Sequence, residues 1–384
     1  MHAERPPAAI AALRRWAIDS ALPLWATAGF DRIHRRFEER LTIDGRAIVD
    51  VPVRLMVQAR QIYVYGLAAR AGWHGEAAAL VETAFGTMVR EYYRADRRDG
   101  WVFSLHRDGT VADGKRDLYA HAFVLLSVAS YVEATGQRGA LDLANETLAF
   151  IDSAMRAGNG GGYVEALPPS GELRRQNPHM HLFEALLALW RVTHDGKYLF
   201  RAEEIFALFR DRFFRARDGV LIEYFDSALR PLGDERGDIV EPGHHYEWVW
   251  LLRQFEAATG REVQGFVDAL YSHADRYGFA PSGLIVDELL ADGTVKTASH
   301  RVWPVTEAIK ANAVEGGKGR PGAERRAVAL IQLLFARFLT ATAAGGWIDR
   351  RDQGGAPATD FMPASTLYHV ICALDVLLTT SSKG

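Results

Sequence analysis

The feature that most narrows what this chain can fold into is an internal repeat. Six segments follow one plan: a Gly-led apolar pair, a short extended stretch with a carboxylate, a turn, a polar loop and then an apolar helix. "NGGGYVEALPPSGELRRQNPHMHLFEALLALW" and "GGWIDRRDQGGAPATDFMPASTLYHVICALDVLL" show it plainly, and "GFDRIHRRFEERLTIDGRAIVDVPVRLMVQARQIYVY" is the loosest copy. The anchors Trp101, Tyr163, Leu221, Leu284 and Trp347 recur about 60 residues apart, so six units account for the chain.

Between the copies lie amphipathic stretches such as "ALDLANETLAFIDSAMRA" and "RRAVALIQLLFARFLTATA", apolar at i, i+3, i+4 and i+7. Each unit therefore pairs a helix apolar on most sides, which other helices must surround, with one that has a solvent face. The expected fold is all-α: an (α/α)6 barrel of six inner and six outer helices, with short β-hairpin loops at the active-site end. It is expected to form a single domain over residues 1–384. An open solenoid of helix pairs is the rival, but that architecture calls for polar capping units at its ends, and the sequence has none.

Composition bounds the function classes. A net charge of -3 and a pI near 6.5 give no basic surface for nucleic acid. The single cysteine, Cys372, lies in the apolar run "YHVICALDVLL", where it reads as a small buried hydrophobe in a chain without disulfides. The N-terminal "MHAERPPAAIAALRRWAI" lacks the apolar core of a signal peptide, and no run approaches the length of a membrane span. A cytoplasmic protein without membrane or nucleic-acid partners is expected, as a monomer or homodimer.

Polar exceptions on the apolar helices recur at one place, the first turns after the long loops. They are Arg54, Arg60 and Gln61; Tyr119 and His121; His179, His181 and Glu184; His244, His245 and Glu247; Arg301, Trp303 and Glu307; and His369. Unpaired burial would cost several kcal/mol each, on the order of 2–7, so they must pair with each other, with water or with a ligand. Asn177 and Pro178 read as N-cap and N1 of one helix, and Ser365 or Thr366 as the cap of another, which puts His181 and His369 in first turns. The positive end of a helix favours neutral imidazole, a competent base. His245, beside His244, points about 100° away on a helix and reads as structural.

Competing chemistries leave weaker signals. The HxH and HH patterns resemble metal ligands, but H-E-x-x-H and a cysteine partner are missing, so no metal is expected. No Walker pattern is present, and no cofactor is expected. Glu165, Asp226, Glu247 and Glu307 could form a glycosidase carboxylate pair, although His and Arg dominate the inner helices. A non-enzymatic sugar-binding protein is a further reading.

"VQARQIYVY", "DLYAHAF", "HMHLFEALLAL", "EPGHHYEWVWLL", "RVWPVTEA" and "TLYHV", in this order, resemble the N-acylglucosamine 2-epimerase superfamily from about residue 20 to 375. The resemblance implies an (α/α)6 barrel acting on a monosaccharide. It implies His244 and His369 as general acid/bases, Arg60 on sugar oxygens, His181 in the site, Glu247 paired with His244, and Trp303 packed on the sugar. Tyr119 is a further candidate contact, and Arg236 lies nearest to the place of a substrate arginine found in isomerases of the group. "NPHMHL" and the single tryptophan of "RVWPVTEA" look closest to the mannose isomerase branch; cellobiose epimerases tend to carry paired tryptophans there. The implied reaction removes the C2 proton of an open-chain aldose to give a cis-enediol. Return of that proton to C1 makes a ketose, and return to the other face of C2 makes an epimer.

Overall fold

The computed structural model describes residues 8–158, 160–169 and 171–381; residues 1–7 of the N-terminal stretch considered above lie outside these. Helices alternate as the repeat requires. Helix α1 (Ala8–Trp16) continues through a π turn, Ala17–Ala21, into α2 (Leu22–Thr27). There follow α3 (Leu55–Arg70), α4 (Ala77–Tyr92), α5 (Leu118–Thr135), α6 (Leu141–Ala154), α7 (Gln176–Thr193) and α8 (Gly196–Leu208). The remainder are α9 (Pro242–Thr259), α10 (Gln264–Tyr277), α11 (Val302–Gly317), α12 (Ala323–Arg337) and α13 (Ser365–Ser381).

The chain forms two compact units. One comprises Phe30–Glu39 and Ile48–Ile239; the other comprises Met1–Gly29, Arg40–Ala47 and Val240–Gly384. In the first, α3, α5 and α7 pack side by side, each backed by its own outer helix, α4, α6 or α8. In the second, α9, α11 and α13 pack in the same way, with α10, α12 and α1 behind them.

The two kinds of helix differ as their sequences demand. On α6 the buried residues are Ala144, Thr147, Leu148 and Ile151, one stripe at i, i+3, i+4 and i+7. On α5 nearly every residue from Leu118 to Val132 is buried. Asp117 caps that helix, its side chain accepting from the Ala120 amide, and Gly136 ends it at φ 73°. With 18 residues and a mean hydropathy of 1.2, α5 does reach the composition of a membrane span, contrary to the expectation for this sequence. Its apolar surface is instead covered by α3, α6 and α7.

The repeat anchors Trp101, Tyr163, Leu221, Leu284 and Trp347 are all buried. Hairpins within a repeat do occur, as in Glu288–Leu290 with Val295–Thr297. More often the short strand before an inner helix pairs with the next repeat. Val53–Arg54 pairs with Ser104–Leu105, Arg116–Asp117 with Ala166–Leu167, and His300–Arg301 with Arg350–Arg351. Phe361–Pro363, ahead of α13, pairs with Arg40–Thr42. These two- and three-residue ladders fix where each inner helix starts.

Candidate active site

In the unit containing Val240–Gly384, three inner helices bring a polar group together. Helix α9 starts with Glu241 as N-cap and Pro242 at N1, a position where proline's missing amide costs nothing. His244 is thus in the first turn. Gly243 beside it has a packing reason: a methyl group there would run into the Trp303 ring and come within 3.0 Å of Pro304 Cβ. The bare backbone lets Trp303 lie against α9, with its ring 4.9 Å from that of His244 and 5.8 Å from that of His369. Both histidines are almost buried and Trp303 is half-buried.

His369 Nδ1 lies 2.7 Å from Glu307 Oε1. Glu307 Oε2 lies 2.6 Å from Lys310 Nζ, and neither side chain has any exposed surface. Next to His244 the charges are organised differently. Glu241 Oε2 is 4.0 Å from its Nδ1 and accepts from Arg301 at 3.0 Å, while Arg301 Nε donates to Asp287 at 2.7 Å. Burial works against the Arg301 charge, but Glu241 and Asp287 outweigh it and hold its pKa above the ordinary value. Burial raises the Asp349 carboxyl, which accepts a 2.5 Å bond from the Thr366 hydroxyl.

Glu247 departs from expectation. It was expected to orient His244, yet neither of its oxygens has a hydrogen-bond partner among the described residues, although the side chain is fully buried. It stands instead with Glu307 and His369, the three offering ligand atoms within 4.8 Å of one another. Two carboxylates and an imidazole are donors that could hold a cation; the ammonium of Lys310 already brings one to Glu307. His245 turns the other way, its ring 5.1 Å from that of His273 on α10.

In the unit containing Ile48–Ile239, Arg60, Tyr119 and His181 meet. The Arg60 guanidinium lies 4.2 Å from the centre of the Phe123 ring and bonds the Tyr119 hydroxyl. Tyr119 meets the His181 ring edge-on at 5.0 Å, and His181 Nδ1 is 3.0 Å from Glu184 Oε2. Helix α7 begins earlier than its Asn-Pro signal suggests, with Arg175 in the N-cap position and no side-chain cap, so His181 sits in the second turn. The ladder of Arg174–Arg175 with Tyr224–Phe225 sets that start. Helix α13 likewise begins at Ser365, and Thr366 bonds Asp349 rather than serving as a cap.

His121 and His179, grouped with the cavity residues by sequence, have another job. His121 Nε2 accepts from the Trp101 amide at 3.2 Å, and its Nδ1 lies 2.7 Å from the Asp117 carbonyl. His179 repeats this with the Tyr163 amide at 3.0 Å and the Arg175 carbonyl at 3.1 Å. An amide donating to Nε2 leaves the proton on Nδ1, so each ring is a neutral staple from a helix start to a repeat anchor. Burial lowers their pKa values to about 4 and about 3.

Arg236 lies exposed on the turn Glu235–Asp238, its Nη2 2.7 Å from Asp234, and no described contact brings it to Arg60, Tyr119 or His181. Lys310, Glu241 and Asp287 escaped the sequence reading. A lysine three residues after Glu307 on an apolar helix was the available signal for the first. The other two take meaning only from Arg301, which binds both.

Comparisons with known proteins give the family and the fold. The profile of the family described as N-acylglucosamine 2-epimerase (GlcNAc 2-epimerase) matches residues 36–373. A "Mannose-6-phosphate isomerase" of Rhizobium meliloti (strain 1021) is 35% identical over 382 residues, covering 94% of this chain and 95% of that one. A "D-mannose isomerase" of Thermobifida fusca is 30% identical, covering 79% and 82%. The solved structure of cellobiose 2-epimerase from Spirochaeta thermophila DSM 6192 superimposes with a TM-score of 0.88 at 23% identity, over 100% of this chain and 99% of that one. The fold is accordingly the (α/α)6 barrel of those enzymes. The chain belongs to the N-acylglucosamine 2-epimerase family and is a sugar isomerase or epimerase.

Proposed function

We propose that the protein interconverts a free aldose and ketose of the D-mannose/D-fructose type through a cis-enediol. The observation that carries this reading is the pair of nearly buried histidines flanking the half-buried ring of Trp303, with one of them, His369, bound through Nδ1 to Glu307. A carboxylate on Nδ1 holds the proton there and leaves Nε2 as the base. His369 takes the C2 proton and returns it to C1, while the hydroxyl hydrogen passes from O2 to O1. His244 opens the sugar ring and acts as partner acid/base. The Trp303 face packs on the sugar. For Arg60, and with it Tyr119 and His181, we propose contact to sugar oxygens; a guanidinium there stabilises the developing enediolate charge.

A neutral sugar is favoured over a phosphate ester by the charge balance. Among the described residues around His244 and His369, two cations, Arg301 over the Trp303 ring and Lys310 beside Glu307, are held by carboxylates. The second reading, 2-epimerisation, is supported by the same two histidines, because a second acid across the sugar plane would return the proton to C2. Incubation with D-mannose in D2O, followed by NMR, separates them. Fructose is expected, and glucose would identify an epimerase. Turnover of mannose 6-phosphate alone would overturn the neutral-sugar reading.

A further inference from the structure

Lys310 is placed where the proposed reaction makes no direct use of it. It lies in the interior of α11, fully buried, 2.6 Å from Glu307, and its Nζ sits 3.7 Å from the centre of the Trp250 ring and 3.9 Å from Cys372 Sγ. A lysine costs far more to bury than the leucine or alanine that would fill the same space. The indole face favours the charged ammonium, and the ammonium in turn favours the charged form of Glu307. The opposite oxygen of Glu307 meets His369 Nδ1.

We propose that Lys310 is a positioning residue that acts on His369 through Glu307. The inference rests on the reading of His369 as the base. Among the described residues, the groups that face this chain of contacts include Glu247 from α9, Glu307 from α11, and Tyr368 and Cys372 from α13. Two carboxylates, Glu247 and Glu307, therefore stand beside one imidazole. Without another cation, the pair of negative charges would draw a proton onto the imidazole or onto Glu307. Either outcome removes the free base. The lysine supplies the cation, so Glu307 stays an acceptor for Nδ1–H and Nε2 stays unprotonated near neutral pH.

The test compares K310M, K310R and the double variant K310M/E307Q in two measurements. One is the pH profile of kcat/KM with D-mannose. The other is the titration of the His369 imidazole by NMR in the substrate-free protein, its signal assigned by loss in H369N. In K310M the acid limb and the imidazole midpoint both move to higher pH by about one unit or more. That lowers kcat/KM on the acid side about tenfold, with KM changed less than about twofold. K310R retains the wild-type midpoint. If K310M does not fold, K310M/E307Q removes both charges of the buried pair, which such pairs tolerate; its midpoint falls below wild type because the nearer anion is gone. An unshifted His369 midpoint in folded K310M or in the double variant overturns the proposal. The NMR arm needs no turnover, so a failure of the sugar assignment leaves it decisive.

Discussion

Two kinds of buried histidine stand near the starts of the inner helices, and the contrast between them separates scaffold from chemistry. His121 and His179 have both ring nitrogens engaged by backbone groups, an amide on one side and a carbonyl on the other. His369 has a carboxylate on Nδ1 and a half-buried aromatic ring 5.8 Å away. The first environment admits only the neutral ring. The second sets an anion beside the ring, and a carboxylate stabilises the imidazolium. Burial alone does not make a histidine reactive; what the ring nitrogens meet, backbone groups or a carboxylate, separates the two kinds.

The largest effect that would break this comparison is expected from His369→Ala. Turnover of D-mannose by the folded protein should fall about a thousandfold. Near-normal turnover in that variant would remove His369 from the mechanism. His121→Ala or His179→Ala should do the reverse. Each leaves a buried amide and carbonyl to lose a partner, costing about 2–4 kcal/mol of stability, while the folded fraction keeps its kcat; urea denaturation alongside a rate assay reads both.

Gly243→Ala comes next. The added methyl pushes on the Trp303 ring and should cost about 1–3 kcal/mol by overpacking, seen as a raised KM and a changed tryptophan fluorescence. Unaltered KM and fluorescence would mean that Trp303 does not depend on that close approach.

The last effect is a pH slope. The folded-state pKa values of His121 and His179 are lowered to about 4 and about 3, while the unfolded rings titrate near 6.5, so the unfolded chain binds more protons in between. Their contribution to stability is full above about pH 6.5 and is lost as pH falls toward 4. Within that window each ring contributes about 1.4 kcal/mol per pH unit. Glutamine at either position should flatten the stability profile measured between pH 6.5 and 4.5.

Much of this was legible in the residues. The recurring anchors predicted the buried Trp101, Tyr163, Leu221, Leu284 and Trp347, and the two hydrophobic periodicities predicted which helices are inner. His244 was read in a first turn, and α9 begins at Pro242 just ahead of it. The reading of Asn177-Pro178 as a start did not hold, because a strand ladder already fixes α7 two residues earlier. Glu247 illustrates a harder failure. Its spacing of three from His244 is right for a helical neighbour, but spacing says nothing about which way a side chain turns once another helix is present. Glu307, 62 residues from His369, is the partner that packing supplies.

By itself, then, the sequence determined the period, the helix types and the set of residues able to do chemistry, since those follow from local patterns of apolar and polar side chains. Tertiary structure decided which carboxylate serves which histidine and which histidines are staples. It also decided that a buried lysine belongs to the group. Which carboxylate serves which histidine depends on distances between helices far apart in the chain, and no local pattern encodes it.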